Sequence, residues 1–240
     1  MALHSDLAYY GCDSESGKSE MDESTPMKQI SRVFVGVVCA TLFGSAAMAV
    51  EEGFVSLFDG KTFAGWEGNM KVFRIEEGAV VGGSQKESIP NNEFLCTEKE
   101  YGDFELRLKA KLVGPGDNAG IQFRSARIPD HHEVIGYQCD MGSAWGRKIW
   151  GALYDESRRR KVLAEDAPDK VQKICKENDW NEFVIRCEGN HIQLWLNGVQ
   201  TVDYTEQEEV AKTGVIGLQI HGGKPAEASY KDIRIKDLTK

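Results

Sequence analysis

The sequence predicts an all-β sandwich, on two observations: apolar residues recur with period two, and helix signals are scarce among frequent glycine turns. Short strands are expected near Phe73, Val80 and Phe94. In Phe104-Glu105-Leu106-Arg107-Leu108-Lys109-Ala110-Lys111-Leu112 every other residue is apolar, the mark of a strand with one wet face. Further short strands are expected near Ile121, Tyr137, Ile149 and Val162. Asp169 to Lys176, after Pro168, is the one stretch that reads as a short helix. Alternation returns at Phe183, Ile185 and Cys187, and again at Ile192, Leu194 and Leu196. Asn197-Gly198 follows at once. Both central residues of a type I′ turn need positive φ, which Asn-Gly supplies, so residues 191–204 read as a hairpin. Gly214 to His221 and Ala228 to Leu238 complete the set. No internal repeat is visible, which disfavours a propeller or β-helix.

The 240-residue chain divides by composition. Residues 1–26 are polar and aperiodic, an expected disordered extension or mis-assigned start, with translation beginning at Met27. Residues 27–49 have the three parts of a secretory signal peptide: Lys28 and Arg32, then the 11-residue run Val33 to Phe43, then Ala47-Met48-Ala49. The run is too short for a bilayer, which needs about 20 apolar residues. An exported protein, periplasmic or secreted, is expected, with residues 50–240 as one domain and no membrane span after cleavage. That domain carries 26 Lys and Arg against 32 Asp and Glu. With no basic stripe, nucleic acid is a poor partner. Its four cysteines (Cys96, Cys139, Cys175, Cys187) allow three pairings or free thiols, and no CxxC pair supports a zinc ribbon.

Seven local strings then stand in order. They are Leu57-Phe58-Asp59-Gly60-Lys61-Thr62-Phe63-Ala64-Gly65-Trp66, Tyr101-Gly102-Asp103-Phe104-Glu105-Leu106, and Asn118-Ala119-Gly120-Ile121-Gln122-Phe123-Arg124-Ser125. Gly136-Tyr137-Gln138, Trp180-Asn181-Glu182, Gly217-Leu218-Gln219-Ile220-His221-Gly222 and Tyr230-Lys231-Asp232-Ile233-Arg234-Ile235-Lys236 follow. Across residues 53–238 this order resembles the 3-keto-disaccharide hydrolase family. The resemblance implies a concanavalin A-like jelly-roll sandwich of two antiparallel sheets, export, and a carbohydrate substrate: a glycoside oxidised at C3 of the sugar. Family members often carry Glu where this chain has Gln138. Concanavalin-like glucanases use E-x-D-x-x-E on one strand. Here Gln138-Cys139-Asp140-Met141-Gly142-Ser143 keeps only the middle carboxylate, which argues against a two-carboxylate retaining mechanism.

A 3-keto sugar offers another route. The ketone acidifies the hydrogen on C2, so one base can remove it, the group at C1 can leave by elimination, and water can add back. That chemistry asks for a base, a group to hold the enolate oxygen and a proton donor. The candidate catalytic residues are Asp140, His221 and Arg124. Gln122 with Arg124, Gln138 with Asp140, and Gln219 with His221 are each spaced i, i+2, so each pair is expected on one strand face. Gln122, Gln138 and Gln219 are candidate substrate contacts. Trp145 and Trp150 could both be core, but Trp145, in a loop-like Ser143-Ala144-Trp145-Gly146 setting, is read as exposed and a candidate to stack on a sugar. Tyr154 and Asp155 could supply an acid or hydrogen bonds. His131, His132 and Glu133 are weak candidates for a divalent metal, the one cofactor the sequence suggests. Arg158-Arg159-Arg160-Lys161 reads as a solvated charge run or as partner to Glu165 and Asp166. An enzyme of this kind is the first expectation, and a non-catalytic carbohydrate-binding module the alternative, favoured by the missing Glu at 138. A purely structural sandwich comes third.

Overall fold

The computed structural model describes residues 51–239, so the signal-peptide reading falls outside the described residues. The described residues form sixteen strands and one helix. In order these are β1 (Val55–Ser56), β2 (Trp66–Glu67), β3 (Phe73–Glu76), β4 (Ala79–Ser84), β5 (Glu93–Thr97), β6 (Phe104–Val113), β7 (Asn118–Arg127) and β8 (Val134–Ala144). Then come β9 (Arg147–Lys148), β10 (Leu153–Glu156), β11 (Lys161–Ala164), α1 (Pro168–Ile174), β12 (Asn181–Glu188), β13 (His191–Leu196), β14 (Val199–Thr205), β15 (Val215–Ile220) and β16 (Ala226–Asp237). The strands make two antiparallel sheets. One runs β14-β13-β12-β6-β16-β4-β3 with β1 on β16. The other runs β11-β10-β8-β7-β15-β5-β2 with β9 on β8.

The alternation at 104–112 does what it predicts. Phe104, Leu106, Leu108, Ala110 and Leu112 are buried, and the charged residues between them are only partly covered. They meet Ile121, Phe123, Tyr137, Cys139, Met141, Ile216 and Leu218 of the second sheet in one core. The Asn197-Gly198 turn has φ 49° and 81°, as a I′ hairpin requires. The short strand expected near Ile149 is β9, which ends one residue before it, and a longer strand, β10, follows at 153–156. The four cysteines among the described residues, Cys96, Cys139, Cys175 and Cys187, are free thiols. Among the described residues no helix is long and apolar enough to cross a membrane.

The second sheet has a polar outer face. Because Ile121, Tyr137, Cys139 and Leu218 point into the core, alternation sends Gln122, Gln138, Asp140 and Gln219 to the other side. Tyr230 of β16 reaches across the core and donates its hydroxyl to the Gly120 carbonyl (3.1 Å), with the Gln219 carbonyl also in reach. The first sheet thereby holds the β7–β15 backbone beneath that polar face.

Candidate functional site

Strand register places the polar side chains. Gln219, Gly120 and Asp140 lie in one row across β15, β7 and β8, and Gly217, Gln122, Gln138 and Tyr154 in the next. Gly120 is needed here: a Cβ on it would collide with the Gln138 amide. The amides form a chain of donors with one direction. The Ser125 hydroxyl donates to Gln122 Oε1 (2.8 Å), Gln122 Nε2 to Gln138 Oε1 (2.8 Å), and Gln138 Nε2 to Asp140 Oδ1 (2.7 Å).

These groups lie on an outer face yet are closed off from water. Gln122, Gln138, Asp140 and Gln219 are 0, 2, 2 and 1% exposed. Burial therefore dominates the Asp140 carboxyl and lifts it from 3.8 to about 8. The Gln138 hydrogen bond opposes that rise, and the charges of Glu156 and Glu165 add to it. Gln219 is different in kind. Its amide oxygen and nitrogen are both buried and have no hydrogen-bond partner among the described residues. A buried amide without partners costs stability unless something fills the need.

Strand β10 adds two groups that alternation sends to the same face. Tyr154 is half-buried, and burial followed by the charges of Glu156 and Asp140 holds its hydroxyl above the ordinary range. Glu156 is lifted to about 7 by burial and by the nearby charge of Glu133. Sequence reasoning missed Glu156 and offered Asp155 instead. The signal was present: Leu153 is core, so Tyr154 and Glu156 share the outward side and Asp155 points in. Asp155 is fully buried and ion-paired to Arg158 (2.9 Å) and Arg159. Arg159 continues to Glu206 (2.6 Å), which accepts the Tyr137 hydroxyl (2.6 Å). The Arg158-Arg159 run is thus a buried ion network rather than a solvated face. Glu165 pairs with Arg147 and Asp166 with Lys170 instead.

Arg124 does not share a face with Gln122. The β7–β8 pairing slips between Phe123 and Ala126, and Arg124 sits at φ 45° in the resulting bulge. Its guanidinium turns away to the Gly102 carbonyl (2.9 Å), the Gly189 carbonyl (2.7 Å) and Asp103 Oδ1 (2.8 Å). All of it is spent on tying β7 to the start of β6 and the β12–β13 turn. His221 lies just past β15, exposed, with Nδ1 2.6 Å from the Gly222 carbonyl. With Asn118, Ser143 and Lys224 it lines a rim pocket of about 250 Å³. Trp145 is 62% exposed, whereas Trp150 is buried and stacked on Phe183.

His131 and His132 lie in a bend, and the two rings stack at 4.3 Å. His132 Nε2 is 3.6 Å from Glu133 Oε1, and Glu133 Oε1 also accepts from Asn92 (3.1 Å). Among the described residues no three His, Cys, Asp or Glu side chains converge as a metal would need.

Comparison with known proteins fits this picture. A 3-keto-disaccharide hydrolase of Bacteroides thetaiotaomicron is 24% identical over 127 residues, covering 49% of this chain and 43% of that protein. The chain therefore spans less than half the length of this relative. Among solved structures, a candidate glycosyl hydrolase from Parabacteroides distasonis superposes with a TM-score of 0.56 at 20% identity, over 78% of this chain and 95% of that one. A carbohydrate-binding module from Bacillus subtilis gives 0.54 at 15%, over 72% and 96%. These likenesses establish the sandwich. Residues 53–236 match the family model of the 3-keto-alpha-glucoside-1,2-lyase-like domain, and the chain belongs to that family.

Proposed function

We propose that this domain cleaves the glycosidic bond of 3-keto-glycosides by elimination and hydration, with Asp140 as the base. One observation carries the reading: a single buried carboxyl, lifted to about 8, ends a chain of neutral amide donors on the outer sheet face. A base works best with a pKa near the working pH, and burial strengthens this one above an ordinary carboxylate.

In the first half-reaction the ionised Asp140 takes the proton on C2, and the electron pair moves to the C3 oxygen. The Gln219 amide N–H, which has no partner of its own, donates to that oxygen as charge develops. The C1–O bond then breaks, the C3 carbonyl re-forms, and a C1–C2 double bond remains. Tyr154, which keeps its proton, gives it to the leaving oxygen. In the second half, water returns a proton to Tyr154 and adds its hydroxyl at C1. Protonated Asp140 then gives its proton back to C2. The sum is hydrolysis, with every protein group restored.

Exported status remains part of the same proposal, on the strength of the pattern at 27–49. A binding-only module is the second reading, favoured by the 2% exposure of Asp140. The test is to incubate the domain with a 3-keto-disaccharide, with and without EDTA, and follow release of the free sugar. Release that disappears in Asp140→Asn supports the enzyme. Binding without release establishes the module. Release blocked by EDTA adds a metal to the mechanism.

A further inference from the structure

The β8–β9 hairpin has a strained tip whose large side chain is left exposed. Ser143 pairs with Lys148 and Ala144 with Arg147, so Trp145-Gly146 is the two-residue tip. Both tip residues have positive φ, 50° and 75°. That is the I′ geometry in which Asn, Asp or Gly is preferred at the first position, because a side chain with Cβ is strained there. Tryptophan instead occupies it. Burial gives no compensation: at 62%, Trp145 is the most exposed large apolar side chain among the described residues. A strained backbone carrying an exposed aromatic ring is the kind of local misfit that collects at functional sites.

The ring's position gives the misfit a use. Trp145 is seven residues beyond Gln138, and at about 3.3 Å per residue a straight strand would put them roughly 23 Å apart. Yet the Trp145 ring is 5.9 Å from the ring of Tyr154, the backbone partner of Gln138. The tip of the hairpin therefore brings its ring back over the polar face beside Tyr154. Arg147 lies over the Trp145 ring at 5.2 Å and is anchored by Glu165 at 2.9 Å.

We propose that Trp145 is a stacking platform for the second sugar ring of the substrate, the one that leaves. The assignment rests on the elimination reading only in that Tyr154, beside Trp145, serves the leaving oxygen. A pyranose presents an apolar C–H face to such a ring, and a small alkyl leaving group does not. Trp145 is therefore a specificity residue that selects disaccharides over simple glycosides.

The test uses Trp145→Asn, which suits the turn better than the native residue, and Trp145→Phe, which keeps a ring. Binding of 3-keto-trehalose and of methyl 3-keto-α-glucoside is measured by calorimetry, with Asp140→Asn added throughout to stop turnover. In Trp145→Asn the disaccharide Kd should rise at least about tenfold, a loss of ~1.4 kcal/mol. The methyl glycoside Kd should hold, and Trp145→Phe should recover most of the disaccharide affinity. Thermal stability of Trp145→Asn should be unchanged or higher, which a structural role for the ring would not give. Equal disaccharide binding by the native residue and Asn overturns the platform, as does no binding at all. Binding that depends on Trp145, in a domain that releases no sugar even with Asp140 intact, upholds the platform and sinks the hydrolase reading.

Discussion

Gln138 Nε2 donates to Asp140 Oδ1 at 2.7 Å, and in this one bond a side chain that cannot ionise orients one that can. A carboxylate at position 138, opposite Gln122 and two residues from Asp140, would place a like charge beside a buried acid. Gln138 avoids that and relays donors from Gln122 to Asp140.

Asp140→Asn should lower turnover of a 3-keto-disaccharide by about 10²–10⁴, the usual worth of a positioned base. The fold should survive, because the buried carboxyl is already neutral near pH 7 and an amide is its isostere. If the proposed reaction holds, kcat/KM of the native protein should climb with pH until it levels near 8, where Asp140 ionises. A profile flat from pH 6 to 9 would remove Asp140 from the role of base.

The same group sets a stability trend. Its folded pKa lies above its unfolded one, so between about pH 4 and 8 the folded state holds more protons. Stability from this group is complete below pH 4 and is lost as pH rises through 8. The slope is at most ~1.4 kcal/mol per pH unit. Melting curves of Asp140→Asn and the native protein should therefore diverge as pH rises across that window, with the variant the more stable at pH 8.

Arg124→Met should damage folding and not chemistry. It strips the buried partners of the Gly102 and Gly189 carbonyls and of Asp103, a loss of about 2–4 kcal/mol. Chemical denaturation should show the loss, while kcat per folded molecule stays the same. A selective fall in kcat would return Arg124 to the reaction.

Arg159→Met should be the more harmful change. It leaves Asp155 with Arg158 as its remaining ion partner and deprives buried Glu206 of its guanidinium, at a cost of about 3–5 kcal/mol. By contrast Glu156→Gln, on the outward side of the same strand, should not lower the melting temperature and should raise it near pH 8, since it removes no ion pair and replaces an acid whose burial opposes ionisation. Scanning calorimetry of the two variants separates the inward and outward faces of β10.

Gly120→Ala should push the Gln138 amide aside and break its bond to Asp140. A stability loss of about 1–3 kcal/mol is expected, together with a fall in activity larger than that of a remote variant of equal stability. An unchanged rate would mean that the donor chain does not matter to catalysis.

Sequence alone determined the sandwich, because period-two alternation is a property of consecutive residues. Phe104 to Leu112 was legible for that reason, the hairpin from the Asn197-Gly198 turn pair, and the short helix from Pro168 at its start. It also put Gln138 with Asp140 on one face, since regular strand carries i to i+2. The same rule failed at Arg124, where a bulge inserted one residue and reversed the facing, and a bulge leaves no local signature in Phe123-Arg124-Ser125. Register between strands far apart in sequence decided the rest. It brought Gln219, Gly120 and Asp140 into one row, turned Arg159 inward to Glu206, and laid Trp145 against Tyr154. Those pairings depend on how whole sheets pack and bend. The burial that lifts Asp140 to about 8 exists only once they have formed.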